Sequence, residues 1–235
     1  MKAYTRTHVG RVREQNEDTV CVCPGAYGLY ILADGMGGHL GGEVASALAA
    51  QTLTAVLQGS VPSAERLAQA FARVNTVIYE KQKGDPSLSG MGTTLTVLWE
   101  GETHVYIGHV GDSRAYLMMN GRLRRMTEDH SLVEEMVSAG MITEEQAKTH
   151  PYRSVITRAM GTDESVQPDV MEVLKSPGER WLLCSDGLSD MVEDEQIEAV
   201  LRQKDAQAAA GELVERALEN GGRDNISVMV LEVEA

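Results

Sequence analysis

The chain has 235 residues, with 35 acidic against 21 basic side chains, for a formal charge of −14. That balance excludes a general nucleic-acid binder, whose affinity for phosphate comes from clustered Lys and Arg. Hydrophobic content of 43% and charged content of 24% exclude a disordered chain and fit an ordinary globular one.

In chain order, the first apolar runs with strand character fall at 19–23 and 28–33. Helical spacing takes over at 43–58, where Val44, Leu48, Leu53, Val56 and Leu57 recur mostly three or four apart. Leu67, Ala70, Phe71, Val74 and Ile78 repeat the pattern after a short break near 60–62. Strands resume at 93–99, 105–110 and 114–119, and Asn120-Gly121 favours the positive φ angles of a two-residue turn. An antiparallel hairpin of 114–119 with 122–126 follows from that. Between 127 and 158, Ser131-x-x-Glu134 and Thr143-x-x-Gln146 both fit the capping box and predict two short helices. This segment is either an ordinary helical connection or a flap beside a site. A strand at 180–185, helices at 195–202 and 206–220, and a strand at 226–233 complete the order. No linker or repeat divides it, so a single domain over 1–235 is expected. Strands, then a helix pair, then strands and helices again do not follow βαβ alternation; the order favours an α+β fold with antiparallel sheets and helices outside.

No stretch approaches the ~18 apolar residues of a membrane span, and the first residues contain no apolar signal segment. A cytoplasmic protein without membrane contact is expected. Cys21, Cys23 and Cys184 are odd in number and lie in apolar surroundings, which points to reduced thiols.

The chemistry concentrates in aspartates beside Gly or Asn at the ends of apolar runs. Tyr30-Ile31-Leu32-Ala33 leads into Asp34-Gly35; Val110-Gly111 leads into Asp112-Ser113; Leu183-Cys184-Ser185 leads into Asp186-Gly187; and Asp224-Asn225 precedes Ile226. Asn16-Glu17-Asp18 forms a fifth acidic cluster. Singly, each Asp-Gly is a turn. Together, converging carboxylates require a cation or a shared proton, because their mutual repulsion is otherwise uncompensated. Oxygen-only ligands select Mg²⁺, Mn²⁺ or Ca²⁺ over zinc, and two or three such ions in an open site suit hydrolysis by an activated water. Other phosphate chemistries lack their motifs. There is no Gly-x-x-x-x-Gly-Lys-Ser/Thr and no Asp-x-Asp, and the residues six after the cysteines are Tyr27, Leu29 and Asp190 rather than the Arg of a thiolate phosphatase.

Six runs in order resemble the motif set of the metal-dependent (type 2C) serine/threonine protein phosphatases, most closely the compact bacterial members. They are Arg13-x-x-Asn16-Glu17-Asp18, Asp34-Gly35-Met36-Gly37-Gly38-His39, Gly92-Thr93-Thr94, Gly111-Asp112-Ser113-Arg114, Ser185-Asp186-Gly187-Leu188 and Gly222-Arg223-Asp224-Asn225, and the similarity extends over 7–233. The resemblance implies a four-layer sandwich of two antiparallel β-sheets flanked by α-helices, with a small flap subdomain at 127–158. It implies two Mn²⁺ or Mg²⁺ ions bridged by Asp34, with the Gly35 carbonyl on one and Asp186 and Asp224 on the first. Asp112 with Asp186 would form a third, weaker site, and Glu17 and Asp18 would act through metal-bound waters. Arg13 matches the phosphate-binding arginine, whose planar fork suits two phosphate oxygens.

The implied reaction is in-line attack of the bridging water or hydroxide on a phosphoserine or phosphothreonine. One departure stands out: eukaryotic members usually have histidine directly after Asp-Gly, where this chain has Met36. His39 is the nearest alternative proton donor, with a structural or water-holding role equally open, and His109, His130 and His150 read as packing or hydrogen-bonding residues. Implied partners are phosphorylated proteins, a cognate Ser/Thr kinase and its substrates; nucleic acid and membrane are not expected, and a monomer is. The alternatives are a hydrolase of small phosphate esters and an inactive phosphoprotein-binding module; retention of Asp34, Asp112, Asp186 and Asp224 counts against the latter.

Overall fold

A computed structural model describes residues 1–37 and 41–234. Among the described residues eleven strands form two sheets: β1 (Lys2–His8), β2 (Asp18–Cys23), β3 (Leu29–Met36), β4 (Gly92–Thr93), β5 (Leu95–Glu100), β6 (His104–Val110), β7 (Arg114–Met119), β8 (Arg122–Arg125), β9 (Asp169–Leu174), β10 (Arg180–Cys184) and β11 (Ile226–Glu232). One sheet runs β1-β11-β10-β7-β8; the other runs β2-β3-β5-β6-β9, with β4 added to β3. Every pairing is antiparallel. Helices α1 (Gly41–Leu57) and α2 (Ala64–Gly84) cover the β3 sheet. On the opposite side, α5 (Asp186–Ser189), α6 (Asp194–Gln203) and α7 (Ala206–Glu219) cover the β11 sheet, while α3 (Leu132–Ser138) and α4 (Glu144–Lys148) occupy the 127–158 segment.

The period of two in the strands decides which layer each side chain enters. In β3, Ile31 and Ala33 face α1 and α2, while Tyr30 and Leu32 enter the space between the sheets. In β10, Leu182 and Cys184 face the second helical layer, while Trp181 and Leu183 meet Leu32, Leu98 and Ile107 across the interface. Central strands buried on both faces therefore read as continuous apolar runs rather than alternations. Each fully buried Leu, Ile or Val there is worth roughly 1.5–3 kcal/mol of burial.

The four-layer arrangement agrees with expectation, and so does the hairpin: Asn120 and Gly121 take φ of 53° and 75°, and Met119 faces Arg122. Five features differ. β1 and β9 are additional strands at the outer edges of their sheets, with the sequences KAYTRTH and DVMEVL, and an edge strand with one solvated side lacks a continuous apolar run. The expected strand at 93–99 divides at Thr94, because Gly92 and Thr93 pair with Met36 and Gly35 while Leu95 begins the pairing with β6. Asp186 opens the short helix α5. At Ser131 only half of the capping box forms: its hydroxyl accepts from the Glu134 amide, but the Glu134 carboxylate turns to Arg125, 3.4 Å away. At Thr143 both halves form. Among the described residues no helix is long and apolar enough to cross a membrane.

Candidate active site

The site lies where the C-terminal part of β3 meets the loops at the rim of the other sheet. Asp34 sits inside β3, opposite Asp18 of β2, and the strand continues past it because β4 pairs with Gly35 and Met36. The Asp34 amide donates to Thr94 Oγ1 at 2.9 Å, and its carbonyl accepts from Thr93 Oγ1 and the Thr94 amide, both at 2.8 Å. These bonds hold the backbone so that the carboxylate projects to the cleft. Gly35 must be glycine for a steric reason: a Cβ would run into the Gly42 carbonyl at the start of α1 and lie 2.7 Å from the Glu17 carbonyl.

Asn225 joins the opposite side. Its side-chain amide donates to the carbonyls of Val9 and Gln15 at 2.9 and 2.8 Å, its Oδ1 accepts from the Glu17 amide at 2.8 Å, and its own amide donates to Asp224 Oδ1 at 2.8 Å. One buried side chain thereby fixes the loop of Arg13 and Glu17 against the start of β11. Arg13 Nη2 reaches Asp224 Oδ2 at 2.7 Å. Ser185 Oγ lies 2.9 Å from Asp18 Oδ2 and accepts from the Ser227 amide at 3.0 Å.

Of the residues expected at the site, Arg13, Glu17, Asp34, Gly35, Asp112, Asp186 and Asp224 all line one cleft of about 630 Å³. Asp18 lies behind it, opposite Asp34. His39 falls outside the described residues. Met36 lines the cleft, as do Ser154 and Ile156 from the 127–158 segment. Sequence reading did not assign Asn225, Ser185, Thr93 and Thr94, although all four stand inside the quoted motifs; a polar residue neighbouring a ligand offers no signal of its own until its partner is known.

The electrostatics are those of carboxylates short of positive charge. Burial, then repulsion from Asp18, Asp186, Asp112 and Asp224, holds the Asp34 carboxyl well above the usual range. Burial and repulsion from Asp112 do the same to Asp186. Burial is also the main reason that Asp18 is pushed up to about 6 and Asp112 to about 7. Asp18 Oδ1 and Asp186 Oδ1 are buried without a hydrogen-bond partner among the described residues. Buried carboxylate oxygens without donors are costly in water-poor surroundings, so the donor set fits hard divalent cations. No three His, Cys, Asp or Glu side chains among the described residues form a finished cage. Ions here would be completed by water and by carbonyls such as that of Gly35, which suits Mg²⁺ and Mn²⁺.

Comparison with known proteins agrees with this chemistry. The family model described as Protein phosphatase 2C matches residues 8–224. The chain is 43% identical over 236 residues to the serine/threonine protein phosphatase PstP of Mycobacterium tuberculosis, covering 99% of this chain and 45% of that one. It is 37% identical to the serine/threonine phosphatase stp of Listeria monocytogenes, covering 99% and 96%. It thus spans under half of the mycobacterial relative and nearly all of the listerial one. The crystal structure of the M. tuberculosis phosphatase PstP/Ppp superposes with a TM-score of 0.92 at 40% identity, covering 100% and 99%. A structure of the PstP catalytic domain in complex with two manganese ions gives 0.90 at 38% identity, covering 100% and 98%.

Proposed function

Because this chain belongs to the protein phosphatase 2C family, we propose that it is a metal-dependent protein phosphatase acting on phosphoserine and phosphothreonine. The observation that carries the reading is one cleft holding Asp34, Asp112, Asp186 and Asp224 together with Arg13. Asp34, Asp186, Asp224 and the Gly35 carbonyl would hold two Mn²⁺ or Mg²⁺ ions, Asp112 with Asp186 a third, and Glu17 and Asp18 would position water ligands. When bound, such ions activate water as a nucleophile and offset charge on the phosphoryl oxygens. The chain's own contribution is placement. Arg13, steadied by Asp224 on one edge of its guanidinium, offers its remaining N–H groups to the phosphate. Thr93, Thr94 and Asn225 keep the aspartates and the Arg13 loop in fixed relation, which favours a rigid substrate geometry. Met36 has no proton to give the leaving alkoxide, and His39 is the donor we would test first. Ser154 and Ile156 reach the cleft from the 127–158 segment, which supports its reading as a flap that governs peptide choice. The proposal extends to one phosphatase domain, monomeric and cytoplasmic, opposing a Ser/Thr kinase.

The test is phosphate release from a phosphothreonine peptide with Mn²⁺, with and without chelator, in wild type and Asp34→Asn. Release that needs Mn²⁺ and vanishes in the variant is expected. Chelator-resistant turnover, or full activity in Asp34→Asn, overturns it. Activity confined to small aryl phosphates would make the protein a small-ester hydrolase instead.

A further inference from the structure

Two buried histidines with no part in the site described above, His109 of β6 and His130 near the start of the 127–158 segment, lie against each other with ring centroids 4.8 Å apart. His109 Nε2 faces the Glu128 carbonyl and Nδ1 faces Thr96 Oγ1, both at 3.0 Å. A carbonyl only accepts, so Nε2 of His109 carries its proton. His130 grips the turn that bears Asp112 at two points. Its backbone N–H donates to the Gly111 carbonyl at 2.8 Å, and the Gly111 N–H donates to His130 Nδ1 at 3.0 Å. Nδ1 is therefore an acceptor and the ring proton is on Nε2, 3.1 Å from Asp169 Oδ2. Arg158 Nη1 donates to Asp169 Oδ1 at 3.0 Å and to the Gln167 carbonyl at 3.1 Å, and lies 3.0 Å from His130 Nε2, so two donors converge on one carboxylate.

Two further facts give this contact a purpose. Gly111 has φ of +111°, and any Cβ there would collide with Thr94, so no side chain can hold the peptide just before Asp112. Its orientation rests on hydrogen bonds. The same histidine also joins both ends of the 127–158 segment: the Thr157 amide donates to the His130 carbonyl at 2.8 Å, and Ser131 bridges Ile156.

We propose that His130, held in its Nε2–H form by Asp169, is the positioning residue for Asp112 and ties both ends of the flap to it. This rests on the reading of Asp112 as a cation ligand given above. The experiment combines ¹⁵N spectra of the histidine rings, hydrogen exchange of the Gly111 amide and Mn²⁺ calorimetry on the intact chain. Wild-type His130 is expected in the Nε2–H tautomer. In His130→Leu the Gly111 amide should exchange about tenfold faster, because its acceptor is gone. The weakest Mn²⁺ site should lose about tenfold in affinity, the usual effect of removing a group that orients a ligand. The tighter sites should stay unchanged. His130→Asn, whose Oδ1 falls near the place of Nδ1, should restore the Gly111 protection. Asp169→Ala should give mixed His130 tautomers with the ring still in place, which a packing role alone would not produce. An Nδ1–H tautomer in wild type, or unmoved Gly111 protection in folded His130→Leu, overturns the proposal. If ring and amide behave as expected but wild type takes up no Mn²⁺, the metal reading fails, and the service of His130 to a cation fails with it.

Discussion

The space between the two sheets and the cleft at their rim are built from the same strands on opposite principles. Leu32, Leu98, Trp181, Leu183 and Met229 fill the interface with apolar surface, in which the indole N–H of Trp181 is buried with no hydrogen-bond partner among the described residues. Two residues beyond Leu32 and three beyond Leu183, the end of β3 and the start of α5 bring Asp34 and Asp186 into a place where burial and mutual repulsion oppose ionisation. The interface supplies stability that the cleft consumes. On the proposed function, cations in the cleft would relieve that repulsion, so the metal-free protein is expected to be less stable than the loaded one.

The largest effect is expected in the interface. Trp181→Ala should cost about 3–5 kcal/mol; at roughly 2–4 °C per kcal/mol for a chain of this size, calorimetry should show a melting point lower by about 6–20 °C, with or without Mn²⁺.

Asp34→Asn should act in the opposite sense. Phosphopeptide turnover should fall by at least about 100-fold, as expected from losing several kcal/mol of charge stabilisation. In chelator at neutral pH the same variant should melt higher than wild type by about 2–8 °C, because one of several repelling carboxylates has gone. A lower melting point would mean that the cleft is not under electrostatic stress.

Asp18 and Asp112 have folded values near 6 and 7, above the ordinary 3.8, so the folded state binds more protons than the unfolded one across that window. Their contribution is full at low pH and is lost as pH rises through those values. The metal-free protein should therefore melt lower at pH 8 than at pH 5.5, and saturating Mn²⁺ should reverse the order. His109 works oppositely: burial lowers it to about 4 from 6.5, so its contribution is lost as pH falls between those values. His109→Gln should flatten the acid side of the melting curve.

The smallest effect on stability belongs to Arg13→Ala. The Arg13–Asp224 pair is largely solvent-exposed and worth under about 1 kcal/mol. KM for a phosphopeptide should nevertheless rise several-fold, and an unchanged KM would remove Arg13 from phosphate binding.

Much of this architecture is legible in the residues. The hairpin at Asn120-Gly121 follows from local backbone preference and α2 from periodicity; α1 forms where expected, but Ala45, Ala49, Ala50, Leu53 and Leu57 make its buried face, while Val56 is exposed. The carboxylates stand out because Asp at the end of an apolar run is conspicuous. β1 and β9 are not legible, since an edge strand with a solvated side shows no apolar run, and the Glu134 carboxylate could not be placed, since Arg125 competes for it only once β8 and α3 meet.

The α+β class, the turns and the conspicuous aspartates are legible along the chain because the order of apolar runs and short-range turn chemistry depend on neighbours; the four layers come from the motif resemblance. How those residues are held is visible only in three dimensions. Asn225 clasps a loop more than 200 positions away, and His130 reaches Asp169 and Gly111 from separate segments. Hydrogen bonds between distant segments leave no periodic trace, so the residues that aim the carboxylates become visible only when the chain is folded.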